Sequence, residues 1–401
     1  MKISNLPSDW EEKRLRDVAL INSETIAEKT NSGNRFYYQD LSSVDNGKIT
    51  PAVEQVRLAD APSRARRKAS LGDLVMSTVR PYLKGFARVD FDPEEFVFST
   101  GFAIVSPKCE KDSEYIYQNL FSGYFDYQFY ASLVGSSYPA LNSGDVEALR
   151  IPYPRCVRER ISIGEILRHW DLAIESRENL ISQKQVRMKG LMQKLVSGEV
   201  RFSEFEGASW REQMLSDQLK ETPRKVKKPD VAFKTAGVRC HARGIFAKPD
   251  MQPDEIALDE LFEIKAGDVV VNISFAWEHA IAVADESHDG ALVSHRFPTF
   301  VCRPNVAASS FFKYFVRQPR MRYDLKCVSP GGAGRNRVLN KTDFKKLRYK
   351  FPGYEEQIRI GSFLDACSEE ITLLEKQLEL LKEQKKSLMQ KLLTGKVRVK
   401  V

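Results

Sequence analysis

Gly190 to Phe202 reads GLMQKLVSGEVRF, and Ser387 to Val399 reads SLMQKLLTGKVRV, 197 residues later and identical at eight of thirteen positions. A repeat at this interval is too long for a solenoid and suits two tandem units, each a globular part followed by a helix. Upstream and without a gap, Arg160 to Leu167 (RISIGEIL) lies over Gln357 to Leu364 (QIRIGSFL). In the first copy apolar residues recur at Ile163, Leu167, Trp170, Ile174, Ile181, Met188, Leu191 and Leu195, with Arg177 and Lys184 completing the steps. In the second they fall at Ile360, Leu364, Cys367, Ile371, Leu374, Leu378, Leu381, Leu388 and Leu392, with Lys385 the one charge. Alternating steps of three and four make an a/d heptad seam. Gly198 and Gly395 stand where a left-handed C-terminal cap ends each helix. Each seam could pack on its own globular part, but two equivalent heptad helices satisfy each other better. The expectation is an intramolecular antiparallel coiled coil on the order of 50 Å long, with the units related by a pseudo-two-fold axis.

The globular parts repeat more faintly. Trp10 to Asp17 aligns with Trp210 to Asp217, Leu71 to Val75 with Ala266 to Val270, and Leu141 to Val146 with Leu339 to Phe344. Strands are predicted at Asp73 to Val79, Phe86 to Phe91 and Phe96 to Val105, then a helix from Glu114 to Leu133. The second unit repeats them at Asp268 to Ser274, Ala280 to Ala284, Thr299 to Arg303 and Ser309 to Lys326. The class is α+β, divided as residues 1–155, 156–200, 201–352 and 353–401. Tyr117, Phe121, Phe125 and Phe129 recur every four residues and read as core.

Composition limits the function. The chain of 401 residues is 42% hydrophobic, enough for two or three cores, and its net charge of +8 suggests a polyanionic partner. The amino-terminal MKISNLPSDWEEK lacks an apolar signal region and no run is long enough to span a membrane, which places the chain in the cytoplasm. Six cysteines form no Cys-x-x-Cys pair, and His241 beside Cys240 has no second ligand pair, so free thiols are expected in place of a metal site.

Catalytic motifs are missing from the sequence. Asp254, Glu263 and Lys265 imitate a metal-dependent nuclease pattern, but the sister unit holds Lys68-Ala69-Ser70 at the aligned place. Gly331 to Arg335 lacks the Gly-Lys-Ser/Thr ending of a phosphate-binding loop, and no amino-methyltransferase motif or nucleophile elbow appears. Binding chemistry remains. Arg64, Arg66, Arg67 and Lys68, and later Arg224, Lys225, Lys227 and Lys228, could neutralise phosphates. Arg80, Tyr82 and Lys84, with Ser136, Ser137, Tyr138 and Asn142, mix donors with aromatics as base reading requires. The second unit offers Trp277, His279, Arg335, Asn336 and Arg337 at the corresponding places. A protein-only coiled-coil adaptor and a nuclease are the rival readings.

These features together resemble the specificity subunit of type I restriction-modification systems. The resemblance rests on Leu6-Pro7 with Trp10, on Ser99 to Val105 (STGFAIV), on Gly135 to Asn142 (GSSYPALN), on Ile151 to Pro154, and on the repeated Leu-Met-Gln-Lys-Leu. It implies two target-recognition domains, each reading half of a split asymmetric double-stranded DNA site, held by the antiparallel coiled coil. It also implies two methylation subunits that bind S-adenosylmethionine and methylate adenine. Two restriction subunits that use ATP and Mg to cut DNA would join them, leaving no cofactor and no catalysis on this chain. Val293 to Pro298 and Ser329 to Gly332 depart from the first unit's pattern, which leaves the second unit's DNA contacts unassigned.

Overall fold

The computed structural model describes residues 6–26, 33–132, 140–331 and 337–400. They form two compact units, one of Met1–Glu178 with Gln377–Val401 and one of Asn179–Lys376.

Within each unit a short antiparallel ladder closes the globular part. Trp10–Arg14 pairs with Arg150–Pro154 in the first unit and Arg211–Met214 with Arg348–Phe351 in the second. A four-stranded antiparallel sheet follows. Its order is Ala19–Ile21, Phe102–Pro107, Leu74–Ser77, Phe86–Arg88, and in the second unit Leu219–Glu221, Thr299–Cys302, Val269–Val271, Ile281–Val283. Leu74 to Ser77 and Val269 to Val271 are buried throughout, as a strand covered on both faces requires. The other sheet is mixed. In the first unit it runs Gln55–Arg57, Arg35–Gln39, Phe96–Ser99, Ala65–Arg67, with the middle two parallel. In the second it runs Ile245–Met251, Phe233–Val238, Leu292–Val293, Glu260–Glu263, and an added edge strand, Lys225–Lys227. The order matches strand for strand apart from that edge, where among the described residues the first unit has the bridge Thr25 to Arg67.

Two predicted elements are divided. The run from Phe96 to Val105 turns at Thr100-Gly101 and contributes strands to both sheets. The predicted helices break into Ser113–Leu120 with Gly123–Ser132, and into Ser309–Phe315 with Pro319–Cys327, where proline takes the first helical position. Phe125 and Phe129 are fully buried, and Tyr117 and Phe121 pack against the same core.

The long helices, Val157–Ser197 and Tyr354–Leu392, are single elements, and the boundary between units passes through each. The first unit contains the start of the first helix and the end of the second. There Asp171 pairs with Lys385 (2.5 Å), Glu178 with Lys382 (3.0 Å) and Arg177 with Gln377 (3.1 Å), an antiparallel register. In the second unit Lys184 meets Glu370 (2.6 Å) and Gln185 meets Glu375 (2.9 Å) in the same sense. Such exposed pairs stabilise by about 0–1 kcal/mol each, so they choose register more than they add stability.

The apolar seam follows the same division. Ile163 and Leu167 share the first unit's core with Leu388, Met389, Leu392 and Leu393. Leu195 and Val196 share the second unit's core with Ile360 and Leu364, and Met188 and Leu191 pack against it. Ile181, Ile371 and Leu378 are buried, while Trp170, Ile174, Leu374 and Leu381 are half-buried. The first Leu-Met-Gln-Lys-Leu block thus docks in the second unit's core, and the second block in the first unit's. Heptad spacing shows which face is apolar but not which core will cover it.

After each helix the chain turns at Gly198 (φ +79°) and Gly395 (φ +70°) and closes a matched clamp. In the first unit Arg398 grips buried Glu159 with Nε at 2.6 Å and a terminal nitrogen at 2.9 Å, while Trp10 Nε1 donates to the same carboxylate at 3.2 Å. In the second, Arg201 grips buried Glu356 at 2.9 and 2.7 Å, and Trp210 Nε1 donates at 3.2 Å. A desolvated carboxylate is tolerated because a bidentate guanidinium and an indole N–H satisfy it.

Gly164 and Gly361 occupy equivalent helix positions, where glycine ordinarily costs about 1 kcal/mol relative to alanine. A Cβ at Gly361 would lie 2.4 Å from Ser310 Oγ and 2.7 Å from its backbone carbon, and one at Gly164 would lie 3.0 Å from Glu114. Gly190 has open space. Gly361→Ala should therefore cost about 1–3 kcal/mol through overpacking, whereas Gly190→Ala should gain up to about 1 kcal/mol. Urea denaturation of the two variants checks the contrast; equal effects would remove the close-approach argument.

Candidate nucleic-acid interface

In the first unit the strands Leu74–Ser77 and Phe86–Arg88 are joined by a short turn, Pro81–Leu83, flanked by Arg80 and Lys84 with φ of +48° and +59°. Leu83 N donates to the Arg80 carbonyl and Lys84 N to the Pro81 carbonyl. Arg80 and Leu83 are exposed at this tip, and Tyr82 stacks on Tyr130 of the helix Gly123–Ser132, with centroids 6.3 Å apart. The end of the loop after that helix is pinned beside the turn, because Val79 bridges Ala140 and Leu141 N donates to the Thr78 carbonyl. Ser136, Ser137 and Tyr138 lie outside the described residues.

The second unit builds the same meeting of turn and loop from other residues. The turn is Ala276–Glu278, with His279 (φ +65°) closing it. Phe275 is exposed, and Trp277 Nε1 donates to the Ser274 carbonyl at 3.2 Å. Arg337 lies over the Trp277 ring, 5.8 Å from its centroid, a cation–π contact that joins the turn to the glycine-rich loop. Leu339 N, donating to the Ile273 carbonyl at 2.9 Å, fixes the loop's end. Arg335 and Asn336 lie outside the described residues. Arg80 and Tyr82 thus stand near Ala140 and Leu141, and Trp277 beside Arg337.

Several of the candidate DNA-contact residues make polar contacts within the chain. Lys84 pairs with Asp126 and lies near the Phe86 and Phe129 rings; burial holds its ammonium below the ordinary lysine range, against the pull of Asp126. His279, the equivalent turn-closing residue, is 4% exposed, and its Nε2 meets the Val316 carbonyl at 2.7 Å. Burial lowers its pKa despite that bond, which favours the neutral ring. Asn142 caps the helix Ser143–Ala148, its Oδ1 accepting from Asp145 N at 2.9 Å. Lys68 Nζ donates to the Glu94 and Phe96 carbonyls, and Lys228 Nζ to those of Pro253 (3.0 Å) and Ile256 (3.1 Å). Arg224 is bidentate to buried Asp268, and Lys225 pairs with Glu260 at 2.8 Å. Arg67 is half-buried on its strand, and desolvation lowers its guanidinium pKa. Arg64, Arg66 and Lys227 are exposed, the last on the added edge strand.

The nuclease pattern does not assemble. Glu263 is occupied by Lys265 at 2.7 Å, and Asp254 sits in the separate turn Pro253–Glu255. Among the described residues no group of three or more His, Cys, Asp and Glu could hold a metal ion, and no helix is long and apolar enough to cross a membrane.

The sequence reading passed over Arg239 and Arg243 and weighed His241 only as a metal ligand. They occupy the loop between Phe233–Val238 and Ile245–Met251, which is hydrogen-bonded onto the Trp277 turn: His241 N and Ala242 N donate to the Glu278 and His279 carbonyls, each at 2.8 Å. Three cationic or titratable residues within Arg-Cys-His-Ala-Arg-Gly, bounded by two β-rich runs, were the available signal.

Comparison with known proteins agrees with this architecture. Residues 7–183 match the family model described as the type I restriction modification DNA specificity domain. The chain is 22% identical over 427 residues to a putative type I restriction enzyme MjaX specificity subunit of Methanocaldococcus jannaschii, covering 100% of this chain and 96% of that protein. It is 23% identical over 218 residues to the type I restriction enzyme MjaVIII specificity subunit of the same organism, covering 50% of this chain and 48% of that one. A chain from a type I R-M system solved for its complex assembly and conformational transition superposes with TM-score 0.62 at 21% identity, covering 98% and 100% of the two chains. The HsdS subunit from Thermoanaerobacter tengcongensis gives 0.54 at 21% identity, covering 98% and 99%.

Proposed function

We infer that the chain is a specificity subunit of a type I restriction-modification system, a DNA sequence-reading subunit in which each of the two units reads one half of a split, asymmetric duplex site. The observation that carries this reading is the pairing of one scaffold with two different tips. The two main sheets correspond strand for strand apart from one added edge strand. The turn-and-loop surfaces do not, with Arg80, Leu83 and Tyr82 on one and Phe275, Trp277 and Arg337 on the other. Exposed guanidinium and aromatic groups on a rigid hairpin suit groove reading, and Arg64, Arg66 and Lys227 suit phosphate contact.

The chain would work in the cytoplasm, where its DNA is. Partner subunits would supply the reaction: two methylation subunits with S-adenosylmethionine for adenine methylation and, where DNA is cut, two restriction subunits using ATP and Mg. The long helices, each shared by both units as an uninterrupted element, would set the number of unread base pairs between the half-sites and offer the docking surface for the methylation subunits. Mapping methylated adenines across the host genome with and without this gene tests the reading. One split motif, lost on deletion, is expected; an unchanged methylation pattern would end the proposal.

A further inference from the structure

We propose that Arg239 and Arg243 contact backbone phosphates of the half-site read by the second unit, and that this phosphate clamp has no counterpart in the first unit. The inference rests on the DNA-reading assignment and adds residues and a measurable asymmetry to it.

Both arginines are exposed on a loop whose backbone is held in place. Arg239 N donates to the Gly244 carbonyl at 2.9 Å, closing the hairpin, and the two donations from His241 and Ala242 tie its tip to the Trp277 turn. His241, Ala242 and Gly244 have φ of +61°, +50° and +93°, so the loop curls sharply instead of trailing into solvent. The Arg239 guanidinium lies 5.2 Å from the centroid of the Phe246 ring, which limits its rotamers. The acid in the neighbouring turn, Glu278, is half-buried and hydrogen-bonded to the Cys240 thiol, whose pKa burial and this carboxylate push up to about 11. The outward charge of the loop is therefore positive, and it adjoins the turn on which Trp277 and Arg337 meet.

In the first unit a separate hairpin, Val44–Asp45 paired with Lys48–Ile49, reaches the equivalent turn and carries different chemistry. Asn46 N and Gly47 N donate to the Lys84 and Phe86 carbonyls at 3.1 and 2.8 Å, and both residues have positive φ. Yet this tip carries Asp45 and Lys48, and Lys48 pairs with Glu175 of the long helix at 3.2 Å. The scaffold contact is kept while the surplus positive charge is present on one side only. Planar guanidinium forks suit phosphate oxygens, and each phosphate neutralised steepens the salt dependence of binding by about 0.9 in log–log slope.

The test is duplex binding by the full chain assembled with its partner subunits, titrated between about 50 and 200 mM salt on the specific site and on unrelated DNA. The Arg239→Gln, Arg243→Gln double variant should show a slope shallower by about 2 on both DNAs, with its methylation motif unchanged, and Arg→Lys at both positions should restore most of the slope. An unchanged slope overturns the inference, as does a changed motif with the slope intact, which would make these residues base readers. If the unmodified assembly shows no sequence preference, the DNA-reading assignment itself fails, and the inference with it.

Discussion

Arg160→Met is expected to destabilise the protein by about 3–5 kcal/mol, the range for removing one partner of a buried ion pair. Arg160 and Asp112 have side chains only 6% and 2% exposed, with Arg160 Nε donating to Asp112 Oδ1 at 2.7 Å. The guanidinium also donates to the Pro154 carbonyl at 2.7 Å and lies 4.2 Å from the Tyr153 ring centroid. Without it, a carboxylate stays buried with the Tyr153 hydroxyl, at 2.5 Å, as its remaining strong donor. The penalty comes mainly from the stranded charge, so adding Asp112→Asn should recover a substantial part of it. The repeat supplies a control. At the equivalent position Gln357 is wholly buried but neutral, donating to Gln218 (3.2 Å) and to the Val306 and Pro352 carbonyls, and accepting from Ala308 N at 3.0 Å. Gln357→Met breaks hydrogen bonds without isolating an ion, and about 1–3 kcal/mol is expected. Guanidinium denaturation of the three variants checks the ranking, and an Arg160→Met effect no larger than that of Gln357→Met would refute the stranded-charge account.

Removing one heptad from the middle of each long helix is expected to abolish modification of the native DNA site and to transfer it to a site with the same half-sites and a shorter spacer. Seven residues are about 10 Å of helix, and at about 3.4 Å per base pair the change is roughly three base pairs. Deleting whole heptads keeps Ile181, Ile371 and Leu378 type positions on the buried stripe, so folding should survive where a deletion of two residues would rotate that stripe into solvent. Adenine methylation mapped genome-wide in a host carrying the shortened chain reads the outcome directly. Retention of the native spacer would show that helix length does not set it.

Much of this architecture was legible because the repeat carried it. The 197-residue offset by itself aligns the two helices and their cap glycines, and the paired tryptophans stand in the fainter repeat upstream. The same offset places Glu159 over Glu356, one position before Arg160 and Gln357, and so contains the clamp. The crosswise docking of the Leu-Met-Gln-Lys-Leu blocks was not legible, since an apolar stripe does not identify its cover. The intrachain partners of the candidate contact residues were not legible either, for a related reason. A lysine in a loop looks the same whether water or a carbonyl lies within reach, and Lys68 and Lys228 found carbonyls. Lys84 and His279 sit beside exposed tips but point their chemistry inward, because the residue that closes a turn is well placed to anchor it. Arg239 and Arg243 escaped notice because the first unit's hairpin offered no matching charges to align with them.

The Arg398 clamp also bears on how the polypeptide matures. The second unit is one continuous stretch of sequence, Asn179–Lys376, whereas the first is assembled from both ends of the chain. During synthesis the earlier-made unit must therefore wait, with Glu159 lacking Arg398 and with Ile163 and Leu167 lacking Leu392 and Leu393, until those later residues have been made. A nascent or prematurely stopped chain would be defective in the domain it made first, and a defect at the carboxyl end would be felt at the amino end.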